Sequence, residues 1–136
     1  MFLTGDPNMQ LQLFKTLWGF DGASIDKAVQ QLLAAGMQGI EGAAPANREQ
    51  QAHWVSLFND SSIAYIAEIT TAGSYVPERQ ASLQQHLDSL ERQLNNSAPI
   101  KPQLVTCLGG CDAWPEPLSI EFFSRAIELA DQYQLP

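Results

Sequence analysis

Two glutamates lie in apolar surroundings, where a charged side chain needs a specific role. Glu41 ends a short apolar run and is followed by glycine, and Glu68 interrupts the otherwise apolar residues 63–70. Such a charge must be paired or must face a polar cavity. We therefore take Glu41 and Glu68 as candidate catalytic residues, and Lys15, the expected partner of either acid, as a candidate substrate-binding residue. The alternatives are a purely structural ion pair or, for Glu41, the cap of a neighbouring helix.

A third candidate region is residues 104–114, LVTCLGGCDAW, where an apolar, β-prone run opens into a Gly-Gly turn. Gly109 and Gly110 let the backbone approach a ligand closely, and a loop of this kind has no obvious structural purpose. Asp112 and Trp114 are therefore candidate substrate-binding residues. The alternative is a turn aspartate beside a tryptophan that covers the core.

Cysteine and histidine offer little for a metal site. Cys107 and Cys111 could supply two ligands, but His53 and His86 fall in helical patterns far away in the sequence. We predict free thiols, no metal ligands in this chain, and both histidines in the outer helical layer.

Each candidate side chain follows an apolar run that precedes a helical pattern. Strand, loop and helix repeat four times, which is typical of a parallel α/β protein whose ligand sites lie at the carboxyl ends of its strands. The predicted strands are residues 11–18, 38–41, 63–70 and 103–107.

The helices between them are predicted from caps and apolar spacing. Ser24 caps the first helix, and Asn47 with Gln50 resembles a capping box for the second. Pro77 is predicted as the first residue of the third helix and Ser119 as the start of the fourth. Residues 122–123, both phenylalanine, are predicted to pack in the core.

Length and charge restrict the function classes. The chain has 136 residues, 45% of them hydrophobic, which suits one folded domain. A formal net charge of −8 disfavours binding to nucleic acid or to anionic lipid. No signal peptide or membrane-spanning run is present, so a cytoplasmic protein is predicted. Neither G-x-G-x-x-G nor G-x-x-x-x-G-K-[ST] occurs, which argues against a nucleotide-binding domain.

Three motifs resemble the first half of the xylose isomerase-like TIM-barrel superfamily, which includes sugar phosphate isomerases and epimerases, inosose dehydratase-like proteins and endonuclease IV-like enzymes. They are FKTLWGF at residues 14–20, AAGMQGIEG at 34–42 and CLGGCDAW at 107–114. The second is similar to the family's Gly-x-x-Gly-hydrophobic-Glu pattern. The third is similar to a strand-four run of the type Cys-His-Ser-Gly-x-Asp-x-Trp.

The resemblance implies acid–base chemistry that moves a proton on a sugar-like substrate, beside a divalent metal ion (Mn, Mg, Zn or Co) at the mouth of the barrel. Glu41 would correspond to the acid that ends strand two. Trp18 would correspond to an aromatic residue at the end of strand one, near the mouth of the barrel, and would bind substrate. Asp112 and Trp114 would correspond to the strand-four loop residues.

Two positions depart from the family pattern. Leu108 stands where the strand-four run usually has histidine, so this position cannot exchange a proton. Cys111 stands where the family often has arginine.

The predicted fold is therefore α/β: residues 1–10 form a lead-in, and residues 11–136 form half of a (β/α)8 barrel with four parallel βα units. In the resembling enzymes the metal ligands come mainly from strands five to eight. We expect a sugar (phosphate) isomerase/epimerase-like domain, inactive alone and completed by a homodimer or a complementary C-terminal half. The alternative is a non-catalytic remnant or interaction module with an open four-stranded sheet.

Overall fold

Four parallel strands alternate with four α-helices in residues 9–20 and 24–136, which are the residues that the computed structural model describes. Of the predicted lead-in, residues 1–8 lie outside this described part. The elements are β1 Phe14–Thr16, α1 Ile25–Ala34, β2 Gly39–Gly42, α2 Arg48–Asp60, β3 Ala64–Thr70, α3 Leu83–Ser97, a 3₁₀ turn Ala98–Ile100, β4 Leu104–Leu108 and α4 Glu116–Gln132.

The strands form one parallel sheet in the order β1-β2-β3-β4. Thr16 pairs with Glu41 across β1 and β2, and Glu68 pairs with Thr106 across β3 and β4. Neighbouring strands thus follow the chain order, with a helix in each connection. In the described part of the chain, β1 and β4 each pair on one side only, so the sheet has two open edges.

One face of the sheet packs against the helices and forms the core. Ile40, Tyr65, Ala67 and Ile69 point to this face and are at most 3% exposed. Burial of such apolar surface stabilises the fold by about 25 cal/mol per Å². The helices contribute the buried residues Ala28, Val29, Leu32, Trp54, Phe58, Leu90 and Leu94.

The opposite face of the sheet is open. Leu104 and Leu108 on β4 are nearly half exposed, although both are large and apolar. Glu41 and Glu68 project from this face because side chains alternate along a strand and each is offset by one residue from a core position. One face of the sheet packs against the helices and is apolar, whereas the open face carries both apolar and charged side chains. This difference explains why the strands combine apolar runs with single charges.

Tyr65 joins two strands through its hydroxyl group. The phenol donates a hydrogen bond to the Gly42 carbonyl oxygen at 2.8 Å, and the ring packs 5.8 Å from Trp54 and 5.7 Å from Phe58. Burial raises the pKa of the Tyr65 phenol, so the hydroxyl stays protonated and able to donate at neutral pH.

We expect Tyr65→Phe to lower the free energy of unfolding by about 1–2 kcal/mol, because the buried Gly42 carbonyl loses its donor. Urea unfolding followed by fluorescence measures this change. Tyr75→Phe is the matched control, since Tyr75 is 58% exposed and should leave stability unchanged. Equal stability of the two variants would contradict the assigned hydrogen bond.

Several helix boundaries follow the predicted caps, whereas others do not. Ser24 and Asn47 cap α1 and α2 as predicted. The prediction for Pro77 is wrong: α3 begins at Leu83, because Ser82 and Gln85 form a complete capping box there.

The first strand and the last helix also differ from prediction. β1 covers Phe14–Thr16 rather than residues 11–18, because within the described residues it pairs with β2 alone, and β2 is four residues long. α4 begins at Glu116 rather than Ser119, with Pro115 at the N-cap; Pro117 fits the first turn, where no helical donor is needed.

Candidate functional site

A cavity of about 430 Å³ opens on the uncovered face of the sheet, at the carboxyl ends of the strands. Both predicted catalytic glutamates and Trp18 line it. The strand register explains this grouping, because paired residues of neighbouring strands project to the same face. The remaining lining residues are Thr16, Thr106, Cys107 and Leu108.

Each carboxylate in the cavity contacts one uncharged donor. The Trp18 indole Nε1 donates to Glu68 Oε1 at 2.5 Å, and Thr106 Oγ1 donates to Glu41 Oε1 at 3.5 Å. Both glutamates are partly buried. Each therefore retains acceptor capacity toward the cavity, since a carboxylate offers about four lone-pair sites.

The ion pair predicted for Lys15 is wrong. Lys15 alternates with Thr16 along β1, so it projects away from the cavity, and its Nζ lies 5.3 Å from the centroid of the Phe20 ring. Neither Glu41 nor Glu68 forms an ion pair with it. The assignment of Lys15 to substrate binding stays a prediction.

Asp112 and Trp114 do not line the same cavity as the two glutamates. Asp112 lies in an adjoining cavity of about 360 Å³ with Arg79 and the Gly-Gly turn. Trp114 packs edge-on against His86 and Phe122, with ring centroids 5.0 and 5.8 Å apart. This contact matches the alternative interpretation, a tryptophan that covers the core. Substrate binding by these two residues stays a prediction.

His86 lies on α3, in the helical layer as predicted, but its side chain is completely buried, which the sequence analysis did not anticipate. Its Nε2 donates to the Glu78 carbonyl oxygen at 3.0 Å, and its Nδ1 lies 2.7 Å from Thr71 Oγ1. The Gly110 backbone N–H also donates to Thr71 Oγ1, at 3.2 Å. His86 thus links the loop after β3 to the loop after β4, and it positions both beside the cavity mouth.

Sequence reasoning missed this residue, although a signal was present. His86 lies three residues after Leu83 and four before Leu90, the spacing of one packed helix face. The stripe through Leu83, Leu87 and Leu90 could have included it. His53, predicted in the outer helical layer, lies on α2 with an exposed side chain, and its Nε2 contacts Asp26 Oδ2 at 2.9 Å.

A further aromatic residue that sequence reasoning missed extends the cavity. Tyr75 packs against Trp18 with ring centroids 5.5 Å apart and an interplanar angle of 69°. Both side chains are more than half exposed. A second hollow of about 210 Å³ beside them shares Trp18 and Glu68 with the first cavity, so the two hollows adjoin, and together they are called the cleft below.

Cys107 is a poor nucleophile at neutral pH. The residue lies at the exposed edge of the sheet, yet the protein around its thiol desolvates it and raises the pKa of that thiol to about 11. The thiolate is the reactive form. The thiol therefore stays protonated until the pH approaches this value.

We expect iodoacetamide to alkylate Cys107 in folded Cys111→Ser protein about 100-fold more slowly at pH 8 than in the same protein unfolded in urea. The reason is the raised pKa: at a fixed pH, the thiolate fraction falls about tenfold for each unit by which the pKa rises. Mass spectrometry over time measures the rate. Similar rates in both states would contradict the raised pKa.

The donor set for a divalent metal is incomplete. In residues 9–20 and 24–136, no group of three or more His, Cys, Asp or Glu side chains lies close enough to hold a metal ion. The cavity offers two carboxylates, fewer ligands than a closed site uses. The described residues alone therefore do not fit a resident metal ion.

In the same part of the chain, no helix is long and apolar enough to cross a membrane.

Comparison with known proteins identifies the architecture. No protein-family model matches the chain, and no curated protein matches it significantly. Among solved structures, D-psicose 3-epimerase in the presence of D-fructose superposes with a TM-score of 0.66 at 14% identity, over 92% of this chain and 50% of the epimerase. Endonuclease IV from Thermus thermophilus superposes with a TM-score of 0.56 at 16% identity, over 88% of this chain and 46% of the nuclease.

The chain thus spans about half the length of these two proteins. At such identities the likeness shows the fold, and it confirms the predicted α/β class with four parallel βα units. The protein therefore has the fold of half of a (β/α)8 barrel, similar to the corresponding half of these two proteins.

Proposed function

We propose that the chain is one half of a sugar isomerase- or epimerase-like barrel whose substrate lies in the cavity of Glu41 and Glu68. The observation that carries this proposal is the grouping of these two carboxylates with Trp18 at the carboxyl ends of the strands. Ligands of TIM barrels bind at that end. The likeness to D-psicose 3-epimerase supports a sugar as the substrate class.

The chemistry of such a reaction suits a pair of carboxylates. Isomerisation or epimerisation removes a proton from a carbon next to a carbonyl group. A proton then returns to the neighbouring carbon in isomerisation, or to the opposite face of the same carbon in epimerisation, which requires a base and an acid in contact with the substrate. Glu41 and Glu68 are assigned to these roles, and Thr106 and Trp18 orient them through the hydrogen bonds described above. Leu108 adds an apolar wall that cannot take part in proton transfer.

A complementary half completes the site in this proposal. The open edges of β1 and β4 carry unpaired backbone groups, which favour pairing with further strands. On α4, the exposed side chains of Ile120, Phe123 and Ile127 share one face. We propose that a second copy of this chain or a separate C-terminal half covers both features. The ligands of any divalent metal would come from such a C-terminal half, because a second copy would repeat the incomplete donor set of the described residues.

Turnover and binding of a ketohexose test the proposal. Purified protein is incubated with D-fructose and Mn²⁺, and the products are separated by chromatography. We expect turnover only in associated protein, and its loss in Glu41→Gln and Glu68→Gln. Glu91→Gln, an exposed change on α3, is the charge-matched control. Associated protein that neither binds nor converts any sugar would overturn the proposal.

A second candidate function is a non-catalytic interaction module. The incomplete metal donor set among the described residues and the exposed apolar face of α4 favour it. The same experiment separates the two: association without sugar binding supports the module, whereas sugar binding that depends on Glu41 and Glu68 supports the enzyme half.

A further inference from the structure

The cleft beside Trp18 has a charge pattern that selects among sugars. We infer that it accepts uncharged polyhydroxylated ligands and rejects their phosphate esters, with Glu41 and Glu68 as the residues that determine this specificity. The inference rests on the proposed function, since it names the substrate class of the same site.

The first observation is the absence of a basic side chain from the described walls of the cleft. The described residues that line its two hollows include Glu41 and Glu68 but no lysine, arginine or histidine. Within the part of the chain that the structure describes, neither carboxylate is neutralised by an ion pair. Two negative charges in a partly desolvated hollow repel a phosphate dianion, and the net charge of −8 adds to this field.

The second observation is the position of the nearest basic residues. The ammonium group of Lys15 lies over Phe20, on the other face of β1. Arg79 lies in the adjoining cavity, where Asp112 contributes an opposite charge to the lining. A phosphate group bound beside Trp18 would therefore find no cation from these two residues within the cleft.

The third observation is the exposed aromatic pair. Trp18 and Tyr75 are 51% and 58% exposed and stand edge to face at the junction of the two hollows. The hydrogen bond from the Trp18 indole to Glu68 holds this ring in place. Aromatic surface of this kind packs against the C–H face of a sugar, while carboxylate oxygens accept hydrogen bonds from its hydroxyl groups.

The remaining polar groups of the cleft are neutral. Thr16 on the first hollow and Ser74 on the second can donate and accept hydrogen bonds. Thr106 and Gln93 can accept them, because their donors already bind Glu41 and, for Gln93, the Thr70 carbonyl oxygen and Ser89. Such groups match hydroxyls on successive carbons of an uncharged sugar. The aromatic pair, the carboxylates and these neutral groups together describe a polyol site.

Titration followed by the NMR signal of the Trp18 indole N–H tests this inference. The signal is assigned with Trp18→Phe, and the protein is titrated with D-fructose, D-fructose 6-phosphate and inorganic phosphate. We expect the neutral sugar to bind at least about 10-fold more tightly than its phosphate ester, and inorganic phosphate to leave the signal unchanged.

Variants that remove the negative charge sharpen the test. In Glu41→Gln/Glu68→Gln the preference for the neutral sugar should fall below about 3-fold, since the repulsion of phosphate is gone. Glu91→Gln removes one negative charge outside the cleft, so it should keep the wild-type ratio.

The outcomes separate this inference from the proposed function. Equal or tighter binding of the phosphate ester at the Trp18 signal would overturn the inference and leave a sugar-binding half barrel standing. A failure of both sugars to perturb the signal in associated protein would overturn the inference and the proposed function together. A ratio that is unchanged in the double variant would overturn the assignment of specificity to Glu41 and Glu68.

Discussion

Phe122→Ala is expected to lower the free energy of unfolding by about 3–5 kcal/mol, the usual effect of removing a fully buried phenylalanine ring. Phe122 is 0% exposed and packs against His86, Trp114 and Phe123. It also fills the space beside the Gly-Gly turn: a Cβ atom at Gly109 would lie 2.7 Å from its ring. Loss of this ring leaves a cavity under the loop that carries Asp112.

The neighbouring residue supplies the matched control. Phe123 is 53% exposed, so Phe123→Ala should lower the stability of the isolated chain by less than about 1 kcal/mol. Urea unfolding at low protein concentration compares the two variants. An equal loss of stability would contradict the assignment of Phe122 to the core and Phe123 to the surface.

The second large effect concerns association. The triple variant Ile120→Ser/Phe123→Ser/Ile127→Ser is expected to associate with a complementary half or a second copy at least about 100-fold more weakly than the wild type. These three side chains are 53% to 65% exposed on one face of α4. Large apolar residues at the centre of an interface commonly contribute about 2 kcal/mol or more each when truncated. Light scattering and sedimentation over a range of concentrations measure this change.

Leu33→Ser provides the control for this experiment. Leu33 is apolar and 48% exposed, but it lies near the end of α1, away from α4. It should leave the association constant unchanged. An identical mass distribution for wild type, the triple serine variant and Leu33→Ser would contradict an interface on α4.

The order of the elements and the site end of the sheet were predictable from the sequence alone. Alternation within a strand and apolar spacing along a helix are local patterns, so residues 63–70 and the caps at Ser24 and Asn47 indicated their own conformation. The positions of Glu41 and Glu68 on two neighbouring strands followed from the same reasoning. Parallel strands with helical connections place their carboxyl ends together.

Side-chain partners depended on tertiary structure. Strand register places Thr106 beside Glu68, and its hydroxyl group reaches across β3 to Glu41. The loop that follows β1 brings Trp18 to Glu68, and neither hydrogen bond has a local sequence signal. The ion pair expected for Lys15 was wrong because the sequence showed its charge but not the face of β1 to which it projects.

Tertiary structure also decided which helix side chains are buried. Phe122 and Phe123 are identical neighbours, and both were predicted in the core, yet only the packing of α4 against α3 determines which ring is covered. His86 was assigned to the helical layer, but its burial was not predicted, because a helical pattern shows which side chains share a face and not what packs against that face. The physical reason is the range of the interactions. Secondary structure follows from neighbours within about four residues, whereas register and burial depend on contacts between residues far apart in the chain.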